Sequence, residues 1–204
     1  MSTEKEASTF GQATHTLFLI GQQEPTMEQM LILHDGYLTD LIKAIQAGTI
    51  PQREEFRKSL GLGPLEFKIV VDYGQTFEEM VAAGQYDWSN PDITAARFPL
   101  RGTGKRPLNA QLIHFNRAIS SDDAEKELDK MGLRPGTSDE LLAFGATFPD
   151  VQRQFPIVEL GSVAEIGSYR HVLCLDRDGA ERYLRLDDRD YGWDEACRFL
   201  AFPK

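Results

Sequence analysis

The fold is decided by three consecutive segments, YRHVLCL (Tyr169–Leu175), DRDG (Asp176–Gly179) and AERYLRL (Ala180–Leu186). The two outer segments are rich in the apolar and aromatic residues that strands favour. An Asp-Gly pair between two such runs is a strong hairpin signal, because both residues tolerate positive φ. We therefore predict a β-hairpin. The same turn chemistry accounts for the likeness of Asp176-x-Asp178-Gly179 to a calcium loop, which would need further acidic ligands.

Helix and strand signals lie on both sides of the hairpin. Thr137 and Glu140 have the spacing of a capping box, which predicts a helix over residues 138–146. A short apolar strand is predicted at Phe155–Val163, and a last strand at Arg198–Phe202 closes the chain. Together these signals predict a compact module built around the hairpin.

The segment before this module alternates between strand and helix signals. Phe67, Ile69 and Val71 alternate with polar residues, which is typical of a half-buried strand. The predicted order is a strand at 66–73, a helix from Thr76 to Ala83, a long loop at 85–106, a strand at Leu108–Ile119 and a helix at Asp122–Met131. Because loops of this length in compact domains are often functional, the loop at 85–106 is of interest.

The N-terminal part of the chain is predicted to be helical behind a loose arm. Residues 1–25 are polar and have no clear period, which is typical of such an arm. From Thr26 onward apolar residues recur at helical spacing. We expect Asp35-Gly36 to break this pattern into two helices and Gly48 to end the second of them. A further short helix is predicted at Gln52–Leu60.

The chain is predicted to be an α+β protein with two parts. The cluster Gly61-Leu62-Gly63-Pro64 ends the helical signals, and period-two alternation begins directly after it. We therefore expect a helical N-terminal region, residues 1–63, followed by a mixed or antiparallel sheet domain, residues 64–204. The second part would end in the C-terminal β-hairpin module.

Charge and hydropathy narrow the range of partners. The chain has 204 residues and a formal net charge of −10. This charge disfavours broad binding to nucleic acid or to an anionic membrane surface, since both need a basic face. The apolar run nearest the N-terminus is too short for a signal peptide or a membrane span. We therefore expect a soluble, cytoplasmic protein with a protein or small-ligand partner that the sequence does not identify.

Motifs for a cofactor, a metal ion or a redox pair are incomplete. Zinc-ligand spacing is absent among the histidines, which are His15, His34, His114 and His171. The segment Gly102–Lys105 resembles part of a P-loop but lacks its first glycine and its final hydroxyl residue. We expect neither a cofactor nor a metal ion. Cys174 and Cys197 lack Cys-x-x-Cys spacing, and whether they pair with each other is left open.

The main candidate for a binding surface is the acidic loop Asp187–Glu195. It combines five carboxylates with rigid aromatic rings, a mixture typical of contact surfaces. The same residues would also suit a solvated structural loop or a site for a hard cation. The predicted contact residues are Arg189, Asp190, Tyr191, Trp193 and Asp194, joined by Trp88 from the long loop.

A basic run in the long loop is a second candidate. It consists of Arg97, Arg101, Lys105 and Arg106, with no acidic residue among them. Such a run is suited to a phosphate or a similar anion. It is equally consistent with a solvated loop, and both interpretations stay open.

Part of the sequence resembles a C-type-lectin-like domain. Arg134-Pro135-x-Thr137 before a helix is similar to the helix start in the sulfatase-modifying and retroelement-diversified branches of that fold, and a loop with Trp193 before the last strand is similar too. The resemblance implies a reduced lectin-like module at residues 132–202 that displays loops for binding. Functional residues do not carry over, because the calcium motifs of lectins and the paired catalytic cysteines of formylglycine-generating enzymes are missing. The stretch from Val71 to the end also resembles a group of uncharacterised bacterial proteins.

Three functions are consistent with these observations. The first is a non-enzymatic binding or interaction protein that uses the C-terminal loop surface. The second is a hydrolase-type enzyme in which loop carboxylates act with His114 or His171 as general acid and base. The third is a structural or assembly component that docks through the apolar stripe of the helices within residues 26–60.

Overall fold

A computed structural model describes residues 23, 25–51, 53–60 and 65–204 of the chain. Contacts divide the chain into two compact units, residues 1–63 and 64–204. Most of the predicted N-terminal arm and the predicted Gly-Pro boundary cluster lie outside the described residues.

The first unit contains short helices. They are α1 (Met27–Ile32), a π-helical turn (Leu33–Tyr37), α2 (Leu38–Ala47) and α3 (Arg53–Ser59). The Thr26 hydroxyl accepts the Gln29 N–H and the Gln29 amide oxygen accepts the Thr26 N–H, so that these two residues form a capping box at the start of α1. The predicted break is confirmed, because Gly36 has φ +102° inside the π-helical turn. Gly48 ends α2 in the left-handed conformation.

The helices α1 and α2 bury no side chain. Instead they expose large apolar residues, which are Met27, Leu31, Ile32, Leu38, Ile42 and Ile45. A helix of this composition gains its stability mostly from packing its apolar face against something else. In the described part of the chain these two helices leave that face solvent-accessible.

The second unit holds the sheet. Its elements are β1 (Glu66–Asp72), α4 (Phe77–Ala83), β2 (Trp88–Ser89), β3 (Lys105–Ile113), α5 (Ser121–Lys130), β4 (Leu133–Pro135), α6 (Ser138–Thr147), β5 (Ile157–Val158), β6 (Ala164–Ile166), β7 (Tyr169–Asp178), β8 (Glu181–Asp188) and β9 (Arg198–Pro203). The described strands form one nine-stranded sheet in the order β1-β3-β9-β5-β7-β8-β2, with β4 beside β9 and β6 beside β7. The pairs β2–β8 and β5–β9 are parallel and the others are antiparallel. The predicted α+β fold with a mixed sheet is confirmed.

Helices pack against both faces of the sheet. On one face α4 and α6 bury a large apolar cluster that includes Phe77, Phe98, Phe144, Leu175 and Phe202. On the other face α5 contributes to two smaller clusters. The larger of these, called the second cluster below, contains Ile119, Ala124, Val158, Leu160, Val172, Cys174, Trp193, Cys197 and Phe199.

The hairpin and most helices lie where they were predicted, but two strands do not. β7 and β8 pair across Gly179, which has φ +58° as the Asp-Gly turn requires. The strand predicted at Phe155–Val163 is reduced to β5, because the Glu159 carboxylate bends back to accept the N–H groups of Ser162 and Leu173. The strand predicted at Leu108–Ile119 begins earlier and ends at Ile113. None of the described helices is long and apolar enough to cross a membrane.

Candidate functional site

Trp193, the central residue of the predicted loop surface, lies in the core. Its side chain is only 7% exposed and packs edge-on against Phe199, with ring centroids 6.2 Å apart. The indole Nε1 donates to the Ser121 hydroxyl at 2.9 Å, and that hydroxyl donates to the Arg189 carbonyl at 2.6 Å. The expectation that Trp193 faces a partner is therefore corrected. Its ring fills the space between α5 and the sheet.

Arg189 is likewise a structural residue. It is buried, and its guanidinium donates to Asp122 at 3.0 Å and to Glu125 at 2.7 Å. Both acids belong to α5, so this arginine fastens the loop to the helix. Desolvation lowers the pKa of Arg189, but these two carboxylates outweigh it and the net shift is upward. The expectation that Arg189 reaches a partner is corrected for the same reason as for Trp193.

The other predicted loop residues have mixed surroundings. Asp190 pairs with Arg170 on the surface. Asp194 accepts the Ala196 N–H at 2.9 Å and is contacted by the Cys197 thiol at 3.3 Å. Tyr191 is 86% exposed. The loop thus presents one aromatic side chain to solvent, and its remaining predicted contact residues are engaged with their own chain.

Trp88, the predicted contact residue outside this loop, lies at the edge of the sheet, beside β8. It belongs to the edge strand β2 and is 44% exposed. Its ring meets that of Tyr183, with centroids 5.6 Å apart and planes inclined by 55°. Exposed tryptophan and tyrosine side chains that are already held by a neighbour are typical of contact surfaces.

The backbone around Trp88 is fixed on both sides. The Asp87 N–H donates to the Arg182 carbonyl at 2.9 Å, and the Arg182 N–H donates back to the Asp87 carboxylate at 2.7 Å. Beyond Trp88, the Asn90 N–H donates to the Leu184 carbonyl at 3.0 Å. Because of these bonds, little backbone freedom would be lost when Trp88 contacts a ligand.

Trp88 and Tyr183 belong to a larger exposed area, which we call the open face. Residues directly opposite in a ladder share one side of the sheet. The ladder register therefore places a half-exposed to exposed set on the same side, which is Trp88, Asp176, Asp178, Glu181, Tyr183 and Arg185. Closer to β5, the same side of β7 is buried at Val172 and Cys174 in the second cluster. The open face is the continuation of that buried area beyond the reach of its packing partners.

Acidic groups dominate the open face. The face carries three carboxylates, those of Asp176, Asp178 and Glu181, and one guanidinium, that of Arg185. The Arg185 guanidinium donates to Asp176 at 2.9 Å. The Tyr183 hydroxyl donates to Glu181 at 2.8 Å. That hydrogen bond raises the pKa of Tyr183, and desolvation and the negative charges of Glu181, Asp178 and Asp87 add to the rise. The aromatic pair therefore lies in a negative local field.

Arg182 supports the open face from beneath. It is 4% exposed, and its guanidinium donates to the carbonyls of Gly84 at 2.6 Å and Gly145 at 2.9 Å and to the Gln152 side-chain oxygen at 2.9 Å. It also lies 5.0 Å from the ring centre of Tyr86. Desolvation lowers its pKa. Arg182 is not among the predicted site residues, although the alternation in AERYLRL places it on the apolar side with Leu184 and Leu186.

The histidines and cysteines of the second unit are separated or enclosed. His114 Nε2 lies 2.7 Å from the Glu195 carbonyl oxygen. His171 lies opposite Asp188 in the β7–β8 ladder, and its buried Nδ1 has no hydrogen-bond partner within the described ranges of the chain. Cys174 and Cys197 are both free and buried, which answers whether they pair. Burial raises the pKa of both thiols.

The buried acids Asp139, Glu140 and Glu159 belong to a polar network near the start of α6. Glu159 is fully buried, and desolvation raises its pKa well above the ordinary value, although backbone N–H groups partly oppose the shift. Arg134 binds both oxygens of Glu140, at 2.8 and 2.6 Å, and Tyr73 donates to Asp139. Each of these bonds joins two chain segments, which is the arrangement expected of a structural network.

Two members of the basic run are neutralised. Arg97 lies 2.5 Å from Asp92, and Lys105 lies 3.1 Å from Asp72. Arg101 and Arg106 are exposed. Among the described residues, no group of three or more histidine, cysteine, aspartate or glutamate side chains is arranged to hold a metal ion.

Comparison with known proteins finds no protein-family model, no curated protein and no solved structure that matches this chain.

Proposed function

We propose that this protein is a non-enzymatic binding protein whose contact surface is the open face. The observation that carries the proposal is the contact between the exposed Trp88 and the half-buried Tyr183 on a hydrogen-bonded edge of the sheet. The same class of function was expected from the sequence, but its expected centre, Trp193, is enclosed. The contact surface that we propose is therefore the sheet edge formed by β2 and β8.

Preorganisation supports this assignment. Trp88 is flanked by hydrogen bonds from Asp87 and Asn90 to β8, and Arg182 anchors the strand beneath it. A tryptophan fixed in this way offers a large contact area at a small entropic cost. By contrast, Tyr191 lies at the tip of a loop and has no ring partner among the described aromatic pairs.

The chain allows a sharp test because it has two tryptophans. Their indole N–H groups give separate NMR signals, one from the half-exposed Trp88 and one from the buried Trp193. A panel of peptides, oligosaccharides and small organic ions is titrated into the full chain. We expect a ligand to shift the Trp88 signal and to lose affinity for Trp88→Ala, while the Trp193 signal stays in place. Ligands that bind without moving Trp88 and with unchanged affinity for Trp88→Ala would contradict the proposal.

A second candidate is an assembly role for the helical unit. It is favoured by the apolar side chains that α1 and α2 expose. A stripe of one chemical type is complementary to itself, as an interface between two identical copies requires. The proposed occupant is therefore a second copy of this chain, which would cover the same stripe.

Sedimentation of the full chain tests this second candidate. We expect a dimer that becomes a monomer when Leu31→Glu and Ile42→Glu place charges in the stripe. Gln46→Glu on α2 is the matched control, because this exposed position is already polar, and it should leave the dimer intact. A wild-type chain that stays monomeric at high concentration would exclude the assembly role.

The hydrolase interpretation stays a prediction, with His171 and Asp188 as the neighbouring pair that it would use.

A further inference from the structure

We infer that the open face takes a basic peptide segment, with a lysine or arginine side chain against Trp88. This inference rests on the proposed function and adds the chemistry of the partner. The observations behind it are the charge of the open face, the geometry of its aromatic pair and its width across three strands.

The charge of the open face is complementary to a cation. Arg185, its one basic residue, is already bound to Asp176. Asp178 and Glu181 are exposed at the hairpin end of the face. Arg177 belongs to the other side of the sheet, because it pairs with the buried Arg182. An approaching cation therefore meets unneutralised carboxylates, whereas an anion would be repelled.

The aromatic pair gives such a cation a place to bind. A guanidinium or ammonium group binds over the face of tryptophan more strongly than over other rings. Because the two rings are inclined by 55° rather than stacked, part of the indole stays uncovered. A guanidinium lying on the indole can donate hydrogen bonds to a nearby carboxylate at the same time.

The size of the open face favours a peptide over a single small amine. It extends over β7, β8 and β2, and strands in a sheet are spaced by about 4.8 Å, so the face is roughly 10 Å wide. This width suits two or three side chains of an extended segment. A small ammonium ion would use only the aromatic pair and leave the acids at the hairpin end unused.

Three peptides test the inference. They have the same length and the same sequence except at a few variable positions. These positions hold Lys and Arg in the basic peptide, Gln in the neutral peptide, and Asp and Glu in the acidic peptide. Binding to the full chain is followed by the two indole signals and by calorimetry. We expect the basic peptide to bind, with a loss of about tenfold or more on Trp88→Ala and on the paired change Asp178→Asn with Glu181→Gln. Tyr191→Ala is the matched control, because it removes an exposed ring elsewhere, and should leave the affinity unchanged.

The other outcomes separate the inference from the proposed function. If the neutral or acidic peptide binds equally well and still requires Trp88, the charge preference is overturned while the open face remains a binding surface. If the basic peptide binds equally to wild type, Trp88→Ala and the acid-neutralised variant, the attraction comes from the overall negative charge, and the inference is overturned. If none of the three peptides shifts the Trp88 signal, the inference also fails, and the wider ligand panel then decides the proposed function alone.

Discussion

The two tryptophans of this chain have opposite surroundings. Trp193 closes the second cluster, and its N–H bonds to Ser121 on α5. Trp88 lies on an edge strand of two residues, and its ring meets that of Tyr183. An acidic sequence context surrounds both residues, with Asp194 beside one and Asp87 beside the other. Local composition therefore does not distinguish a core tryptophan from a surface tryptophan, and the elements packed around each residue do.

The sharpest test of this contrast is Trp193→Ala. Removing a buried indole leaves a cavity and takes away the N–H that the Ser121 hydroxyl accepts, so we expect the free energy of unfolding to fall by about 3–5 kcal/mol. Chemical denaturation followed by circular dichroism measures the change. Tyr191→Ala, two positions away but exposed, should change it by less than about 0.5 kcal/mol. Similar values for the two variants would mean that Trp193 is not a core residue.

Arg182→Met tests what holds the region of Trp88 in place. Methionine keeps much of the volume but removes every donor to Gly84, Gly145 and Gln152. We expect a loss of about 3 kcal/mol in the free energy of unfolding, because buried acceptors are left unpaired. Arg182→Lys, which can satisfy only some of these acceptors, should lie in between. A change below about 1 kcal/mol for methionine would show that the anchor is dispensable.

Two glutamates show the same contrast as the two tryptophans, because Glu159 is buried and Glu181 is exposed. Burial raises the pKa of Glu159 above its ordinary value of 4.5, so the folded chain holds this proton in a range where the unfolded chain has released it. The free energy of unfolding should therefore fall as pH rises from 4.5 toward the raised pKa, by up to about 1.4 kcal/mol per pH unit. Glu159→Gln should remove this slope, and Glu181→Gln should keep it. Parallel curves for wild type and Glu159→Gln would refute the assignment.

Trp88→Ala is expected to have a much smaller effect on stability than Trp193→Ala. The change removes one half-exposed aromatic contact, so the free energy of unfolding should fall by about 1 kcal/mol. Amide NMR spectra should change only around β2 and β8. A loss as large as that of Trp193→Ala would erase the contrast between the two tryptophans, and Trp88 would then be a structural residue.

Local signals in the sequence are reliable where neighbouring residues decide the structure. The capping boxes at Thr26 and Thr76 form as their spacing predicts, and the Asp-Gly turn closes the β7–β8 hairpin. Each depends on residues only a few positions apart. Much of the outline of the α+β fold follows from such signals.

Long-range contacts explain what the sequence leaves out. The hydrogen bond that buries Trp193 joins it to Ser121, and the bond that fixes β2 joins Asp87 to Arg182. β2 itself lies inside the segment predicted to be a long loop, because two residues are too few to show a strand pattern. The sequence predicts Trp88 as a contact residue but gives no sign of its ring partner, Tyr183. Their proximity depends on the register of a parallel strand pair.

The two free cysteines allow the opening of the protein interior to be followed kinetically. Both thiols lie in the second cluster, where burial raises the pKa of each and encloses the sulfur atoms. A thiol-specific dye therefore reacts at an appreciable rate only when the cluster opens to solvent. The rate at which the dye labels the intact chain thus reports how often α5 separates from the sheet, without any introduced cysteine. Any ligand that stabilises this region should slow that reaction, whichever surface it binds.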